Sequence, residues 1–488
     1  MADIHIRKLD SVYMHVFSEA GIAREISGYF TFEVPGHQFM PAFQNKMWDG
    51  RIRLFNMNDF TLYAGLLQHL EKFAHHRDYT VAYEDNIAET TEFSVVEALE
   101  FIKTLKLPNE PWEHQIDAFT HSVRKGRCLL LSPTGSGKSL IIYLLLRYFK
   151  GKKALIIVPT KSLVAQMYKD FSDYGVNEGW SSDDHVHQIM QGANKDTDMP
   201  IVVSTWQSLY KMPKEYFDQY DMIIGDECHQ FKAKSLTGLM TKLTTADVRV
   251  GMTGSLDESL THKLVLEGLF GRAKRVATTK ELTDEGILAK LNIKAIVLKH
   301  PEDICRANAR AKYPDEMDNI VSNVARNTFI RNLAISLKGN TLVLFRYVEK
   351  HGDILDKIIR AKASKGRKIF YVWGKTDVEA REEVRAIVEN ETDAIIIASV
   401  GVFSTGINIK NLHNVIFAHP GKSKIQTLQS IGRSLRKTSI KLTATLYDIV
   451  DDMTYKKYVN WSVKHFIERH KYYMQEEHPI KIYKVTIK

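Results

Sequence analysis

Short, almost continuously apolar segments alternate with amphipathic segments over most of the chain. In the middle of the chain the apolar segments are Cys128–Leu131, Ala154–Val158, Ile201–Ser204, Met222–Gly225 and Arg249–Met252. Each ends in small or polar residues, and helix-patterned segments such as Lys138–Tyr148 and Ser162–Tyr174 fall between them. Strands that are apolar along their whole length and alternate with helices indicate a parallel sheet covered on both faces.

The same alternation starts again after residue 315, with apolar segments at Thr341–Phe345, Ile369–Val372, Ala394–Ala398, Asn414–Phe417 and Ala444–Ile449. The pattern therefore predicts the α/β class, with two tandem parallel-sheet lobes and a small N-terminal α+β domain. The predicted segments are an accessory domain (1–85), a helical connection (86–110), a first lobe (111–285), an inter-lobe connection (286–315), a second lobe (316–450) and a helical tail (451–488).

The N-terminal segment is rich in aromatic residues and contains Asp49-Gly50, a pair that favours a tight hairpin turn. We predict that this turn joins the strand-like segments 46–48 and 51–55. Arg51 and Arg53 beside Trp48 suit phosphate binding and stacking on an exposed base. The alternative, which the sequence leaves open, is that Trp48 anchors a core and the arginines form a solvated strand face.

Composition excludes several classes of protein. The chain has 488 residues, 44% hydrophobic and 26% charged, which excludes wholesale disorder. Its 67 basic and 58 acidic residues give a net charge of +9, which suits a polyanionic partner without requiring one. Only Cys128, Cys228 and Cys305 occur, so a disulfide framework is not expected. With no signal peptide and no apolar span of ~20 residues, we expect a soluble cytoplasmic protein without a membrane partner.

Residues 132–139 read Ser-Pro-Thr-Gly-Ser-Gly-Lys-Ser, between a predicted strand and a predicted helix. This is the setting of a P-loop, in which glycines let the backbone N–H groups point into one concavity. Lys138 can then reach the β- and γ-phosphates of ATP, and the Ser139 hydroxyl can ligate Mg²⁺. The motif predicts an ATP site whose loop consists of Thr134, Gly135, Ser136, Gly137, Lys138 and Ser139.

Two carboxylates, Asp226 and Glu227, directly follow the apolar segment Met222–Gly225. Asp226 suits binding of Mg²⁺, and Glu227 suits activation of the water that attacks the γ-phosphate. Alone, such a pair is usually a solvated strand end. Downstream of a P-loop in the same predicted sheet, it indicates catalysis.

A third motif lies in the second lobe, where Arg433 and Arg436 are three residues apart and share a helix face. Planar guanidinium groups can stabilise the charge on a transferring phosphoryl group. By itself a Gln/Arg helix face is most often solvated. Together with the P-loop, it predicts one nucleotide site to which both lobes contribute.

The order of these segments resembles that of the superfamily-2 helicases, whose motor consists of two RecA-like lobes. Further segments that carry the resemblance are 111–115, 158–163, 203–206, 252–255, 344–346, 372–375 and 399–408. The resemblance implies that Gln115 reads adenine and that Thr253 and Ser255 couple hydrolysis to lobe movement. It implies nucleotide contacts by Gly406, Asn408 and Gln429, and nucleic-acid contacts by Thr160, Lys161, Ser204, Thr205, Arg346 and Ser399. Asn408 departs from the family, which often has an acidic residue there.

The whole chain, including the N-terminal segment 43–50, is similar to the recombination helicases of T-even phages. This resemblance implies a DNA helicase that remodels forks, junctions, D-loops and RNA–DNA hybrid loops in replication, recombination and repair. We expect a monomer that works in the host cytoplasm. The residues alone leave open an RNA helicase, or an ATP-gated nucleic-acid sensor that separates no strands.

Overall fold

The computed structural model describes residues 2–487 apart from 35, 85–89, 191–193, 233, 255–259, 406–408, 410, 420 and 422–442. The chain divides into two compact units, one of residues 1–132 with 137–277 and one of residues 133–136 with 278–488. Within the described residues, no helix is long and apolar enough to cross a lipid bilayer.

The N-terminal part of the first unit is a small α+β region, as predicted. Its elements are β1 (Ile4–Lys8), β2 (Tyr13–Ser18), α1 (Ala20–Tyr29), β3 (Thr31–Glu33), α2 (Pro41–Gln44), β4 (Arg51–Arg53), β5 (Thr61–Tyr63), α3 (Leu67–His76) and β6 (Val81–Tyr83). Four strands form a sheet in the order β5-β2-β1-β6, in which β1 is antiparallel to β2 and parallel to β6.

The predicted hairpin across Asp49-Gly50 is wrong. Strand β4 pairs with β3, so that Arg51 lies opposite Glu33 and Arg53 lies opposite Thr31. Gly50 does adopt a positive φ of 78°, but its carbonyl accepts a hydrogen bond from Val34 N at 2.8 Å. The Asp-Gly pair therefore leads into β4 from a loop, and the partner strand lies earlier in the chain, before α2.

The N-terminal region packs directly on the first α/β sheet and shares one hydrophobic core with it. Polar contacts cross the same boundary: Arg127 Nη2 donates to Ser11 O at 2.7 Å, and His69 Nε2 lies 2.8 Å from Glu267 Oε2. A Cβ at Gly65 would lie 2.1 Å from the Glu267 carbonyl oxygen. The accessory region is thus built into the first compact unit.

The larger sheet of the first unit is entirely parallel, in the order β13-β7-β12-β11-β8-β10-β9. Its strands are β7 (Arg127–Leu131), β8 (Ala154–Val158), β9 (Val186–Ile189), β10 (Ile201–Thr205), β11 (Met222–Gly225), β12 (Val248–Thr253) and β13 (Ala273–Arg275). Its helices are α4 (Val95–Thr104), α5 (Glu113–Lys125), α6 (Lys138–Tyr148), α7 (Lys161–Gly175), α8 (Ser182–His185), α9 (Trp206–Leu209), α10 (Lys234–Met240) and α11 (Leu260–Phe270). Because β7, β12 and β11 are neighbours, their carboxyl ends meet at one edge.

The sheet of the second unit is also parallel, in the order β16-β17-β15-β18-β19-β14-β20. Its strands are β14 (Lys290–Lys299), β15 (Thr341–Phe345), β16 (Ile369–Val372), β17 (Ile395–Ser399), β18 (Asn414–Phe417), β19 (Thr443–Asp452) and β20 (Ile480–Thr486). Its described helices are α12 (Thr279–Asp284), α13 (Glu302–Asn308), α14 (Tyr313–Ser322), α15 (Val324–Ser336), α16 (Asp353–Lys362), α17 (Val378–Asn390), α18 (Val400–Thr405) and α19 (Trp461–Gln475). The predicted fold class, with two parallel sheets and a small N-terminal α+β region, is confirmed.

Two segments differ from the prediction. The predicted inter-lobe connection contains β14, which lies inside the second sheet between β19 and β20. The predicted helical tail contains α19 but ends in a strand, β20. Both strands escape a search for continuous apolar runs, because β14 alternates polar and apolar residues and most side chains of the edge strand β20 are exposed.

Candidate active site

The site is built at the carboxyl edge of the first large sheet, where ligands of open α/β sheets bind. Strand β7 leads into Ser132, β12 ends at Thr253, and β11 leads into Asp226. Ser132 N donates to Thr253 O at 2.9 Å, and Asp226 N donates to Ile157 O at 2.9 Å, so the strand ends are tied to one another. This edge brings together Lys138, Asp226, Glu227 and Thr253.

The loop before α6 has the backbone that its glycines permit. Gly135 has a φ of 91° and Gly137 a φ of 75°, which side chains with a Cβ rarely adopt. Ser136 Oγ donates to Pro133 O at 2.7 Å within the loop. Helix α6 then begins at Lys138, so the loop ends at the positive end of a helix dipole, which attracts anions.

Lys138 forms the centre of a buried charge cluster. Its Nζ lies 3.1 Å from Glu227 Oε1 and 3.9 Å from Asp226 Oδ1, and the three side chains are 13%, 17% and 9% exposed. Burial alone would lower the pKa of Lys138, but the carboxylates of Glu227 and Asp226 raise it. The two carboxylates therefore keep the buried Lys138 side chain in its charged form, which is the form that can bind phosphate.

The pKa values of the two carboxyl groups are shifted in opposite directions. Burial alone would raise the pKa of Glu227, but Lys138 and His229 lower it. Burial raises the pKa of Asp226, and repulsion from Glu227 adds to this effect while Lys138 opposes it. Such a pair of neighbouring carboxyl groups with different proton affinities is typical of an active site.

His229 is a member of this cluster to which the sequence assigned no role. Its Nδ1 lies 3.1 Å from Thr253 Oγ1 and 3.4 Å from Glu227 Oε2. It therefore connects the carboxylate at the end of β11 with the predicted coupling residue at the end of β12. Its place two residues after Glu227 was the signal that could have identified it.

The backbone around Glu227 is also specialised. Glu227 has a φ of 50°, in the left-handed region that residues with a side chain rarely adopt. The next residue fixes this turn, since Cys228 Sγ donates to Gly225 O at 2.9 Å and accepts from Met252 N at 3.1 Å. The buried thiol thus has a structural role in orienting the carboxylate.

The predicted magnesium ligands provide suitable donors. Asp226 Oδ1 is buried and has no hydrogen-bond partner among the residues that the structure describes. Ser139 Oγ lies 2.8 Å from the hydroxyl of Tyr174, a second residue that the sequence did not reveal. A hydroxyl and an unsatisfied carboxylate oxygen are the hard oxygen donors that Mg²⁺ prefers, so the residues fit this ion.

Gln115 lies against the loop, where the resemblance requires it. It is 3% exposed, its Oε1 accepts from Trp112 N at 2.9 Å, and its Nε2 lies 3.4 Å from Gly137 O. A Cβ at Gly137 would approach Gln115 Nε2 to 2.1 Å. The glycine is therefore required both for its positive φ and for this close contact.

The predicted nucleic-acid residues of the first unit lie after strand β8 and at the carboxyl end of β10. Thr160 caps α7, with its Oγ1 accepting from Leu163 N at 3.4 Å, and Lys161 is the first residue of that helix. Thr205 Oγ1 lies 3.1 Å from Ser208 Oγ. Ser204 is fully buried and donates to Ile189 O at 3.2 Å, which contradicts a contact between its side chain and nucleic acid.

In the second unit, Arg346 follows β15 and its guanidinium lies 6.0 Å from the ring centroid of Tyr347. Ser399 ends β17 and is 9% exposed. The remaining predicted residues of this unit and of the coupling motif lie outside the described residues: Ser255, Gly406, Asn408, Gln429, Arg433 and Arg436.

The N-terminal candidates Trp48, Arg51 and Arg53 lie close together, and each already has a hydrogen-bond or ion-pair partner. Trp48 is half-buried and its Nε1 donates to Arg51 O at 2.8 Å. Arg51 pairs with Glu33 at 3.1 Å, and Arg53 pairs with Asp49. Trp48 thus braces its own loop beside two exposed, paired arginines. A cavity of about 680 Å³ is lined by Gln38, Phe43, Gln44, Lys46, Met47, Trp48 and Asp49.

Three family models match separate parts of this chain. "DNA helicase UvsW, N-terminal" matches residues 3–84, "Type III restriction enzyme, res subunit" matches 95–258, and "Helicase conserved C-terminal domain" matches 325–438. The chain is 36% identical over 500 residues to the ATP-dependent DNA helicase uvsW of Enterobacteria phage T4, covering 97% of this chain and 98% of that one.

Solved structures agree with this match. The crystal structure of T4 UvsW is similar with a TM-score of 0.53 and 34% identity, covering 99% of both chains. The Type ISP restriction-modification enzyme LlaBIII bound to DNA is similar with a TM-score of 0.55 over 83% of this chain and 33% of that one, at 16% identity. The second likeness concerns the fold alone.

Proposed function

The chain belongs to the UvsW family of ATP-dependent DNA helicases, and we propose that it unwinds or remodels branched DNA and RNA–DNA hybrid loops. The relative that supports this family covers nearly the full length, including the N-terminal region. The two parallel sheets are the RecA-like lobes of a superfamily-2 motor. Forks, junctions and D-loops are the substrates we expect, in phage replication, recombination and repair.

The buried cluster of Lys138, Asp226 and Glu227 is the observation that supports ATP hydrolysis at this site. We propose that bound β- and γ-phosphates attract Lys138 away from Glu227. The Glu227 carboxylate then loses its nearest cation, so its proton affinity rises and it can accept a proton from the attacking water. His229 would keep the carboxylate oriented through its contact with Oε2. The same lysine thus pairs with Glu227 at rest and with phosphate during turnover.

Magnesium completes the proposed site. Ser139 Oγ and Asp226 Oδ1 would hold Mg²⁺, which supplies neutralising charge to the phosphates when bound. To bind Mg²⁺, Ser139 Oγ needs a free lone pair. It has one when the Ser139 hydroxyl donates its hydrogen bond to the Tyr174 hydroxyl oxygen. Gln115, held against Gly137, would read the adenine base.

The motifs of the second lobe complete the assignment. We propose that Arg433 and Arg436 stabilise the transferring phosphoryl group and that Gly406, Asn408 and Gln429 contact the nucleotide. Thr253 and Ser255 would couple hydrolysis to movement, and the contact between His229 and Thr253 supports that role for Thr253. These assignments follow the order of the family motifs in this sequence.

The nucleic-acid path would use residues from three regions. In the lobes these are Thr160, Lys161, Thr205, Arg346 and Ser399. In the N-terminal region Trp48, Arg51 and Arg53 are the candidates, and the exposure of both arginines supports their exchange from carboxylate to phosphate partners. We propose that the protein acts as a monomer in the cytoplasm of the infected cell, as the phage origin of the relative suggests.

A substrate comparison tests this function. ATPase stimulation and strand separation are measured with single-stranded DNA, forks, four-way junctions, RNA–DNA hybrids and duplex RNA. We expect stimulation by DNA and strand separation on forks, junctions and hybrids. Stimulation without strand separation on any substrate would favour an ATP-gated sensor, and a preference for duplex RNA would favour an RNA helicase.

A further inference from the structure

Four aromatic residues are grouped at the carboxyl edge of the second sheet. Tyr347 follows β15, Tyr455 follows β19, Tyr313 begins α14 and Trp461 begins α19. The three tyrosines pack against one small core, and the rings of Tyr313 and Trp461 lie edge to face with centroids 6.1 Å apart. We call these four residues the aromatic surface. None of them is among the residues assigned above to the ATP site.

Trp461 remains partly exposed although its backbone is firmly held. The carboxylate of Glu316, 1% exposed, accepts hydrogen bonds from Trp461 N and Ser462 N, both at 2.9 Å, and from Asn460 Nδ2 at 2.9 Å. The Trp461 side chain is nevertheless 38% exposed. Because Glu316 satisfies the first amides of α19, the helix terminus is not an anion site, and ligand binding must come from side chains.

Two cations lie beside two of these rings, the exposed Trp461 and the partly buried Tyr347. Lys464 Nζ is 4.7 Å from the Trp461 ring centroid, and the Arg346 guanidinium is 6.0 Å from that of Tyr347. Neither cation forms an ion pair within the described part of the chain, whereas Arg51 and Arg53 are both paired. Unpaired cations beside aromatic faces are the combination that binds unpaired bases and their phosphates.

We propose that the aromatic surface binds single-stranded DNA, with bases stacking on Trp461 and Tyr347 and phosphates on Lys464 and Arg346. The inference rests on the proposed helicase function, which generates such a strand. It extends that function, because it places a strand contact on α19, outside the short motifs that resemble those of superfamily-2 helicases. Of the four proposed contact residues, only Arg346 belongs to such a motif. Stacking requires an unpaired base, so the surface selects single strands over duplex, with little preference among bases.

The test uses the full-length protein and fluorescence anisotropy of a labelled oligo(dT). We compare the double variant Trp461→Ala/Lys464→Gln with the matched control Tyr483→Ala/Lys484→Gln on the edge strand β20, where Tyr483 is 44% exposed. Loss of one stacked base predicts about tenfold weaker binding for the first variant. Loss of one phosphate contact predicts a salt slope smaller by about 0.7. The control should bind as the wild type does.

The outcomes separate this inference from the proposed function. A wild type that neither binds oligo(dT) nor is stimulated by it overturns both. If oligo(dT) stimulates the wild type but the double variant binds oligo(dT) as tightly as the wild type does, only the inference is overturned. The inference is also overturned if the double variant loses as much affinity for blunt duplex as for oligo(dT), because that result would indicate a charge contact without base stacking.

Photocrosslinking of wild-type protein to an oligonucleotide with 5-iododeoxyuridine keeps the test valid if the variant does not fold. Crosslinked peptides that contain Tyr313, Tyr347 or Trp461 support the proposal. Crosslinks confined to other segments contradict it.

Discussion

Two places in the molecule put a cation 3.1 Å from a carboxylate, but in different surroundings. Lys138 and Glu227 are 13% and 17% exposed, whereas Arg51 and Glu33 are 51% and 62% exposed. Burial removes the screening by water, so the first pair shifts the pKa of both partners and fixes their geometry. An exposed pair contributes little to stability and exchanges partners easily. The two pairs therefore have different expected functions although their distances are equal. We expect the buried pair to take part in catalysis, and the exposed arginine to exchange its carboxylate partner for a phosphate.

Among changes to the two cation sites and to Glu33, removing the buried cation should have the largest effect. Lys138→Ala deletes the group proposed to bind the β- and γ-phosphates, and loss of such an electrostatic contact typically costs about 10²–10³ in rate. We expect DNA-stimulated ATPase activity to fall by about this factor in a coupled assay. Lys169→Ala, an exposed lysine on α7, is the control and should keep the wild-type rate. Comparable rates for both variants would remove Lys138 from the mechanism.

Removing the exposed cations should have a moderate effect that depends on salt. For Arg51→Ala/Arg53→Ala we expect about tenfold weaker fork binding at low salt, with a salt slope smaller by about 1.8 for two lost contacts. ATPase activity without DNA should not change. Arg51→Lys/Arg53→Lys retains both charges and should retain the slope. Identical slopes for the alanine variant and the wild type would leave these arginines as a solvated strand face.

Removing the exposed carboxylate should have the smallest effect, in the opposite direction. Glu33→Gln frees Arg51 for phosphate, so we expect fork affinity to increase by about twofold at low salt and the gain to vanish at high salt. Glu110→Gln removes the same charge from an exposed carboxylate that is not an ion-pair partner of Arg51 or Arg53 and should change affinity less. Weaker binding by Glu33→Gln would show that the ion pair organises the site and does not compete with DNA.

The sequence predicted the structure well where residues are buried and where the structure depends on residues close together in the chain. The sequence predicted α6 and ten apolar strands closely, namely β7, β8, β10 to β12 and β15 to β19, because a strand covered on both faces must be apolar throughout. It did not predict β9, β13, β14 or β20. The P-loop and the Asp226-Glu227 pair followed from the strand ends that carry them. Arg51 and Arg53 were predicted to be on a strand, but their partner strand was not, since pairing with β3 depends on contacts remote in sequence.

Other features could not be read from local patterns. Strand β20 is half polar and forms only because β14 offers an open edge. The contacts of His229 with Thr253 and of Ser139 with Tyr174 join residues 24 and 35 positions apart, across separate elements. Burial of Ser204 depends on its place between β8 and β9. Each of these is a consequence of tertiary packing.

The most direct test of the central claim is ATP binding and ATP turnover measured in Glu227→Gln. Glutamine keeps the shape of the side chain but cannot accept the proton of water, so loss of the general base should cost about 10²–10⁴ in turnover. We predict that fluorescent ATP binds with an affinity close to that of the wild type while DNA-stimulated hydrolysis and fork unwinding are both lost. Hydrolysis at the wild-type rate would contradict the assignment of Glu227 and, with it, the account of the buried cluster.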